Sequence, residues 1–300
     1  MSVANKIMIH EPVLLETILY YFSPNSGDNF IDATAGEGGH TIPLAQKIAP
    51  QGRVLAVDRD PSQIQNLKKI APKNVIVQHG NFGQLKEIAV RNSFYAPKGI
   101  LFDLGFSSWH IEQSGRGFSF QKNEPLDMRF DYTDKSILTA RELVNTASAK
   151  KLESILTEYG EEKFAERIVK EILKTRSREK IETTGDLVNI VAKVKNFGGR
   201  INPATRTFQA LRMAVNNELA NIQEGINCAM DILLPQGMVA VITFHSLEDR
   251  LVKNLFKLKE AEGVGKRVNK KVIRPDYKEA MRNPRSRSAK LRIFSKYNEM

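Results

Sequence analysis

The chain contains 300 residues, of which 41% are hydrophobic and 26% are charged, as is typical of globular domains with a buried core. Its single cysteine, Cys228, excludes an internal disulfide framework and a zinc site built from clustered cysteines, and we expect no metal. The formal net charge of +11 favours a polyanionic partner.

Short apolar runs alternate with helix-like stretches between residues 30 and 112, and the same pattern returns after residue 237. The predicted strands are, in chain order, FIDATA (30–35), VLAVD (54–58), VIVQHG (75–80), GILFDLG (99–105), MVAVITFH (238–245) and KLRIFSK (290–296). This alternation is typical of a parallel sheet with helices on both faces, so we predict an α/β, Rossmann-like doubly wound fold.

The middle of the chain lacks strand signals. Residues 113–135 are rich in Gly, Asp, Arg and Phe without periodicity, which predicts an ordered loop, and residues 139–194 carry only helical patterns. One long helical pattern then starts at Asn202 and stops at Pro235-Gly237. We therefore predict one α/β domain formed by residues 1–112 and 213–300, with a mostly helical insert at 113–212.

The N-terminal segment MSVANKIMIHEPVLLETILYYF carries Glu11, Pro12 and Glu16 among its apolar residues, so it lacks the apolar core of a signal peptide. No uninterrupted apolar run of about 18 residues, the length needed to span a membrane, occurs elsewhere. We expect a soluble, cytoplasmic protein.

A glycine-rich turn follows the first predicted strand, which ends at Asp32. Glycines at positions 36, 38 and 39 let the backbone approach a ligand closely, and the next helix directs its N-terminal N–H groups toward it. Asp58 ends the second strand, where a carboxylate can bind ribose hydroxyls, and Asp103 ends the fourth. Because open α/β sheets bind ligands at the carboxyl ends of their strands, these residues predict a site for a nucleotide-type cofactor.

Two cofactors compete for this site. A dinucleotide would require G-x-G-x-x-G, but Thr41 occupies the position of the third glycine, and a pyrophosphate would be repelled by Asp32 and Glu37. S-adenosylmethionine has no phosphate and carries cationic groups, so nearby carboxylates favour it over NAD. Phe82 can pack on an adenine ring or belong to the core, and His40 can begin the next helix.

Nine motifs, spread in order over nearly the whole chain, resemble those of one family. They are DATAGEGGH (32–40), VDRD (57–60), FDLGFSSWHI (102–111), RGFSF (116–120), PLDMRFD (125–131), YGEEKFAERI (159–168), PATRTFQALRMAVNNEL (203–219), FHSLEDR (244–250) and NPRSRSAKLR (283–292). The family is the ribosomal RNA small subunit methyltransferase H family, also called MraW. The resemblance implies a class I S-adenosylmethionine-dependent methyltransferase whose helical insert recognises the substrate.

The resemblance also implies a reaction and a set of site residues. The reaction is N4-methylation of one cytidine, cytidine 1402, in the decoding centre of 16S rRNA, with that RNA or the small ribosomal subunit as partner. Carried over position by position, the cofactor-binding residues are Gly38, Gly39, His40, Asp58, Phe82 and Asp103. We add His110, which stands where the family commonly has a glutamine, because an imidazole can also donate or accept a hydrogen bond. A homodimer is left open.

The exocyclic amine of cytosine is a poor nucleophile because its lone pair is delocalised into the ring. Methyl transfer therefore depends on positioning, and an acceptor for an N4–H helps turn the lone pair toward the methyl group. We predict that Asp103 bridges the cofactor and the target amine. Further catalytic candidates, to line the base pocket, are Ser107, Ser108, Asn216 and His245. Asn216 can instead make contacts within its helix, and His245 can begin the helix after the fifth strand.

Positive charge is concentrated in two segments. Residues 266–300 hold 12 Lys or Arg and 3 Asp or Glu, and residues 113–212 hold 19 and 14. The stretches 266–267, 270–271 and 282–292 are predicted to bind RNA phosphates without reading sequence. An Arg and aromatic cluster is suited either to hold a splayed base or to fold over the cofactor; its members are Trp109, Arg116, Phe118, Phe120 and Arg129. Methylation of DNA or protein, and an RNA-binding assembly factor without catalysis, are the rival functions.

Overall fold

The structure is a computed structural model that describes residues 12–195 and 202–298. Residues 1–11, on which part of the interpretation of the N-terminal segment depends, lie outside the described residues. Across the two described ranges, no helix combines the length and the apolar character needed to cross a membrane.

A single seven-stranded sheet organises the α/β part of the chain. Its strands are β1 (Phe30–Asp32), β2 (Val54–Asp58), β3 (Val75–His79), β4 (Gly99–Asp103), β5 (Met238–Thr243), β6 (Gly265–Arg267) and β7 (Lys290–Lys296). Their order is β3-β2-β1-β4-β5-β7-β6, in which β1 to β5 are parallel and β7 is antiparallel to β5 and β6. The chain builds outward from β1 in both directions, which confirms the predicted Rossmann-like doubly wound fold.

Helices connect the parallel strands and form the middle of the chain. They are α1 (Leu15–Phe22), α2 (Thr41–Ile48), α3 (Pro61–Ile70), α4 (Leu85–Arg91), α5 (Ser108–Glu112), α6 (Ala140–Thr146), α7 (Ala149–Gly160), α8 (Ala165–Arg176), α9 (Thr184–Ala192), α10 (Thr205–Asn216), α11 (Glu218–Ile232), α12 (Ser246–Ala261) and α13 (Tyr277–Arg282). Local chemistry sets their ends: α3 begins at Pro61 because Asp60 accepts a hydrogen bond from the Ser62 N–H.

The chain divides into two compact units. The first contains the chain up to Gly105 and from Leu219 onward, and the second is Phe106–Glu218. The second unit contains the predicted insert, residues 113–212, with seven further residues before it and six after it. The expected boundaries followed changes in the apolar pattern, whereas the observed ones follow changes in what each residue contacts.

Each unit has its own apolar core. In the first unit, consecutive residues of β4 alternate between two clusters on opposite faces of the sheet, with Leu101 in one and Phe102 in the other. In the second, α7 and α10 pack together, and Leu156 and Leu211 are fully buried between neighbouring helices. The central strands β1, β2, β4 and β5 are mostly buried, which explains why they are continuous apolar runs in the sequence.

The prediction of a single helix that starts at Asn202 and stops at Pro235 is wrong. Asn217 has a φ of 49°, in the left-handed region, and separates α10 from α11. Asparagine is among the few residues that adopt this conformation readily, so the break needs no glycine. The apolar spacing continues on both sides of Asn217, which is why the pattern resembles one helix. The short strand β6 was also missed, because three residues are too few to show a period.

Candidate active site

Three aspartates end neighbouring strands of the sheet. Asp32 is the last residue of β1, Asp58 of β2 and Asp103 of β4, and β1 lies between the other two. All three strands are parallel, so the side chains emerge at one edge. The strand order reverses between β1 and β4, which is where an open α/β sheet leaves a crevice for a ligand. The structure brings the predicted aspartates together at that edge.

Asp32 holds the turn that follows β1. Its Oδ1 accepts a hydrogen bond from the Thr34 N–H at 3.2 Å, and its Oδ2 accepts one from the Thr41 hydroxyl at 2.7 Å. Burial raises the pKa of Asp32 to about 6, and the hydrogen bonds from Thr41 and Thr34 partly oppose that rise. The carboxylate is almost fully buried and bonded on both oxygens, so its role here is to fix the turn.

The glycines of the turn meet different surroundings. A Cβ at Gly38 would lie 2.6 Å from Leu67 Cδ1, and the φ of Gly38 is 89°, which side chains rarely adopt. A Cβ at Gly39 would lie 3.0 Å from Cβ of Pro12. A Cβ at Gly36 would have no atom within 4 Å. Gly38 and Gly39 thus allow close packing beneath the turn, while Gly36 leaves free space for a ligand against the backbone.

Asp58 connects the turn to the second strand. Its Oδ2 accepts a hydrogen bond from the Gly36 N–H at 2.8 Å, and its Oδ1 accepts one from the Asp60 N–H at 2.8 Å. A carboxylate has about four acceptor positions, so both oxygens can also accept from ribose hydroxyls. The predicted role of Asp58 in cofactor binding fits this geometry.

Phe82 lies just after β3, at the start of a short 3₁₀ helix (Phe82–Gln84). Its ring packs edge-on against Phe102, with 5.6 Å between the centroids. A Cβ at Gly225 of α11 would lie only 2.8 Å from this ring. The side chain is half-buried and part of it packs in the core, and its predicted contact with an adenine ring stays a prediction.

Asp103 is held by its backbone rather than by its carboxylate. Its N–H donates to Thr34 Oγ1 at 2.6 Å, and its Oδ2 lies 3.7 Å from His40 Nδ1. Its Oδ1 is buried and accepts no hydrogen bond from any of the described residues. Buried carboxylate oxygens are normally bonded, so an unpartnered one at a ligand-binding edge fits a site that receives a donor from a ligand.

The surroundings of Asp103 favour its protonated form more than water does. Burial raises its pKa to about 6, the nearby His40 opposes the rise, and the carboxylates of Asp32 and Glu248 add to it. A carboxyl whose pKa is shifted toward neutrality is typical of catalytic sites. The ionised form is therefore an acceptor of unusual basicity.

His40 immediately precedes α2, makes no capping hydrogen bond with its side chain, and lies beside Asp103. Its Nε2–H donates to the Val13 carbonyl at 2.9 Å, because a carbonyl can only accept, and this fixes the ring with Nδ1 on the Asp103 side. Sequence reasoning missed Val13 and Thr34. Thr34 lies within the DATAGEGGH motif, which is a usable signal, whereas the Val13 contact is made by a backbone atom and leaves none.

Ser107 and His110 lie in the second unit, at the start of α5. The Ser107 N–H donates to His110 Nδ1 at 3.1 Å, so this nitrogen acts as an acceptor. The His110 ring is almost fully buried and packs against Phe118 and Phe130, with 4.9 and 5.2 Å between centroids. These contacts give His110 a packing role, and its predicted cofactor contact stays a prediction. The side chain of Ser108 lies outside the described part of the chain.

The Arg and aromatic cluster forms part of the interior of the second unit. The Arg116 guanidinium donates to the carbonyls of Arg129 and Phe130 at 2.8 and 2.9 Å. It also lies over three rings, at 5.1 to 5.4 Å from their centroids; they belong to Trp109, Phe118 and Tyr132. Arg129 forms two 2.8 Å hydrogen bonds with Asp127, and Phe120 packs on Phe208. The predicted use of these arginines to hold RNA is therefore not supported.

Asn216 anchors the loop that contains PLDMRFD. Its Oδ1 accepts a hydrogen bond from the Phe130 N–H at 2.8 Å, and its Nδ2 donates to the Met128 and Arg212 carbonyls at 2.7 and 2.9 Å. The residue is fully buried. Its structural role is to hold this loop, and its predicted role in a base pocket stays a prediction.

Replacing Asn216 with alanine is expected to lower the free energy of unfolding by about 2–4 kcal/mol, because the Phe130 N–H and the Met128 carbonyl lose their buried partner. Urea unfolding followed by circular dichroism measures the change. Asn217→Gly is the matched control, since glycine accepts the positive φ there and stability should hardly change. Equal stability of Asn216→Ala and wild type would contradict the anchoring role.

His245 caps α12 in the first unit. Its Nδ1 accepts from the Glu248 N–H at 3.4 Å, while the Phe244 N–H donates to Glu248 Oε2 at 2.8 Å. This is a capping arrangement, the alternative considered for this residue, and a contact of His245 with the target base stays a prediction.

Some of the predicted phosphate-binding residues are engaged within the protein. Arg267 Nε donates to Glu260 at 2.7 Å. Arg292 Nε donates to Asp249 at 2.7 Å and Lys290 Nζ lies 3.5 Å from the same residue. Arg292 is also 7% exposed. These three cations are therefore structural, which corrects the prediction for residues 267, 290 and 292.

Comparisons with known proteins indicate the family to which the chain belongs. A model of the MraW methylase family matches residues 7–297. The ribosomal RNA small subunit methyltransferase H of Thermomicrobium roseum is 44% identical over 302 residues, covering 94% of this chain and 92% of that protein. Its counterpart from Coprothermobacter proteolyticus is 42% identical over 289 residues, covering 96% of each chain. A crystal structure described as a putative rRNA-methylase from Clostridium thermocellum aligns with a TM-score of 0.45 at 15% identity, covering 96% of this chain and all of that one.

The matched region spans the glycine turn, the three aspartates and the insert, so the agreement is not confined to one motif. Because this match covers nearly the whole chain and full-length relatives exceed 40% identity, the chain belongs to the MraW methylase family, as its motifs predicted, and its cofactor is S-adenosylmethionine.

Proposed function

We propose that the chain transfers the methyl group of S-adenosylmethionine to small-subunit rRNA, at the exocyclic N4 of a cytidine in the decoding centre. The observation that carries the proposal is the buried, unpartnered Oδ1 of Asp103 at the reversal of the strand order. The names of the relatives, which specify small-subunit rRNA, and the net charge of +11 support an RNA substrate.

Each cofactor-binding residue is suited to a different part of S-adenosylmethionine. S-adenosylmethionine, when bound, supplies an electrophilic methyl group on a cationic sulfonium. The free space above Gly36 accepts a ligand against the backbone, Asp58 binds ribose hydroxyls and the exposed part of Phe82 packs on the adenine. Gly38, Gly39 and His40 hold the turn in place, and the carboxylates of Asp32 and Asp103 make this edge suited to a cation rather than a pyrophosphate.

Asp103 would act on the target amine through its free oxygen. In its ionised form Oδ1 would accept a hydrogen bond from one N4–H, which turns the nitrogen lone pair out of conjugation and stabilises the positive charge that develops on nitrogen. As the bond from nitrogen to the methyl carbon forms, the carbon–sulfur bond would break, a neutral thioether would leave, and Oδ1 would take the N4 proton. His40 Nδ1 lies 3.7 Å from the other carboxylate oxygen, Oδ2. We further propose that the second unit, Phe106–Glu218, recognises the RNA around the target.

Two measurements test this function. Thermal unfolding should shift upward with S-adenosylmethionine and remain unchanged with NAD, because binding to the folded state alone stabilises it. Mass mapping of small-subunit rRNA should show one cytidine that carries one methyl group fewer in cells without the gene than in cells with it. Methylation of DNA or protein instead of rRNA would contradict the proposed substrate. The absence of a thermal shift with either cofactor would favour an RNA-binding assembly factor without catalysis.

A further inference from the structure

The segment that precedes β7 enters the sheet at the edge that carries the active-site aspartates. β7 is antiparallel to β5, and its first residue, Lys290, pairs with Thr243 at the carboxyl end of β5. Asp103 at the end of β4 pairs with the neighbouring Ile242. An antiparallel bridge between Ile273 and Leu291 brings the preceding segment beside the same end of β7. Residues 270–282, here the C-terminal basic segment, therefore lie near the catalytic edge.

Side-chain contacts fix this segment to the site. Glu279 of α13 accepts a hydrogen bond from the Leu14 N–H at 2.8 Å. The adjacent Val13 carbonyl accepts from His40, whose other nitrogen lies 3.7 Å from Asp103. A short chain of contacts within the first unit thus links α13 to the proposed catalytic carboxylate.

The C-terminal basic segment presents cations and aromatic surface to solvent. Its exposed cations are Lys270, Lys271, Arg274, Lys278 and Arg282. On α13, Tyr277 is 79% exposed and Met281, one turn later on the same side, is 57% exposed. The two acidic residues of the segment accept hydrogen bonds from backbone N–H groups of the protein. Asp276 accepts from the Glu279 N–H at 2.7 Å, and Glu279 accepts from the Leu14 N–H.

This composition fits one class of partner. Single-stranded nucleic acid is bound by cations that follow the phosphates and by aromatic rings on which bases stack. A stable protein interface would need a larger apolar centre with few lysines, and a membrane surface would need more apolar side chains than Tyr277 and Met281. An exposed tyrosine among lysines and arginines next to a catalytic edge favours RNA.

We propose that the C-terminal basic segment holds single-stranded RNA flanking the nucleotide being modified, with phosphates on its lysines and arginines and one base stacked on Tyr277. This inference rests on the proposed function, because it takes the RNA substrate as given. The proposal assigns part of the affinity for RNA to the first unit, in a segment separate from the cofactor-binding residues.

The test compares RNA affinity among charge-matched variants. The first variant combines Lys270→Gln, Lys271→Gln, Arg274→Gln and Lys278→Gln. The control combines four equivalent changes at exposed lysines elsewhere in the same unit: Lys47→Gln, Lys68→Gln, Lys69→Gln and Lys73→Gln. The probe is a fluorescently labelled single-stranded RNA oligonucleotide from the decoding region, titrated at salt concentrations between about 50 and 200 mM.

The basic-segment variant should bind the oligonucleotide at least about tenfold more weakly and lower the slope of log affinity against log salt by about 3, at roughly 0.7 per lost phosphate contact. The control variant should change both quantities much less. Tyr277→Ala should weaken binding by about 5- to 100-fold, and Tyr277→Phe, which keeps the ring, should bind like wild type.

Two further readouts separate the possible failures. Unchanged S-adenosylmethionine affinity in every variant shows that the first unit remains folded. Equal losses in the basic-segment and control variants would overturn the surface assignment, as would wild-type affinity of Tyr277→Ala. If wild type itself transfers no methyl group to small-subunit rRNA, the proposed function fails instead, whatever the binding results.

Discussion

Replacing Asp103 with asparagine is expected to lower kcat for methyl transfer by about 100-fold or more, with the protein still folded. Asparagine keeps the size of the side chain and the N–H contact to Thr34, but it removes the ionised acceptor at Oδ1. The loss should appear in single-turnover assays, which report the chemical step rather than product release. Asp103→Ala should be at least as impaired.

The control for this change is Asp231→Asn. Asp231 is an exposed carboxylate on α11 that pairs with Lys86 at the surface, at 2.8 Å, so it tests removal of a charge away from the aspartate edge. Its activity should match wild type. A near-normal single-turnover rate for Asp103→Asn, with S-adenosylmethionine bound, would show that Asp103 is not the acceptor.

The same carboxylate predicts a pH dependence. With the pKa of Asp103 raised to about 6 by burial, the acceptor is mostly ionised at pH 7 and mostly protonated at pH 5. The single-turnover rate should therefore fall about tenfold over that range. Asp32 also has a pKa of about 6, so the profile of Asp32→Asn must be measured; it should keep the fall, whereas the residual rate of Asp103→Asn should lose it.

The contribution of Asp103 to stability should vary with pH in the opposite direction from activity. The folded-state pKa of Asp103 exceeds its ordinary value of 3.8, so the folded protein binds this proton more tightly than the unfolded chain does. The resulting stabilisation is complete below about pH 4 and is lost as the pH rises through about 6. Asp103→Asn should lack this component, which urea unfolding at several pH values can measure.

Gly38→Ala is expected to lower the free energy of unfolding by about 2–5 kcal/mol. A side chain at a φ of 89° costs roughly 1–2 kcal/mol, and the new Cβ, 2.6 Å from Leu67, adds an overpacking cost of about 1–3 kcal/mol. Affinity for S-adenosylmethionine should fall as well, since the turn must shift. Urea unfolding and calorimetric titration give the two quantities.

Gly36→Ala separates the two roles of the turn. Its φ of 48° is the left-handed conformation, which costs about 1 kcal/mol, and its Cβ would meet no protein atom within 4 Å. This variant should stay nearly as stable as wild type yet bind S-adenosylmethionine at least about tenfold more weakly, because the alanine side chain would occupy the space left for the ligand. If its affinity is unchanged, the ligand does not approach the turn at Gly36.

Much of the sheet could be predicted because parallel strands buried on both faces are continuous apolar runs. The bounds of the parallel strand β2 agree with VLAVD residue for residue, and those of the antiparallel strand β7 agree with KLRIFSK. The first and fourth strands end at their aspartates, earlier than the apolar runs, because the chain leaves the ladder there. The break at Asn217 could not be seen, since backbone conformation rather than side-chain spacing produces it.

The site was predictable where strand ends determine it and unpredictable where long-range contacts do. The aspartate edge follows from parallel topology alone. The contact of His40 with the Val13 carbonyl depends on how a distant backbone segment packs, and the sequence carries no trace of it. Likewise, Arg116 lies in a sequence rich in arginine and aromatic residues, which is typical of RNA-binding segments. Its guanidinium, however, donates to two backbone carbonyls and packs on aromatic rings within the protein.

The position of β5 in the sheet constrains the order in which the chain can fold. β5 pairs with β4, yet more than one hundred residues, including the whole second unit, separate the two strands in the sequence. During synthesis the contiguous second unit is complete before β5 leaves the ribosome, so it can fold first. Until β5 is synthesised, the β4 edge of the four strands β1 to β4 has no pairing partner. Bringing β5 to β4 closes a loop of more than one hundred residues, and this closure is expected to limit the folding rate. The aspartate edge thus gains its last supporting strands only near the end of translation.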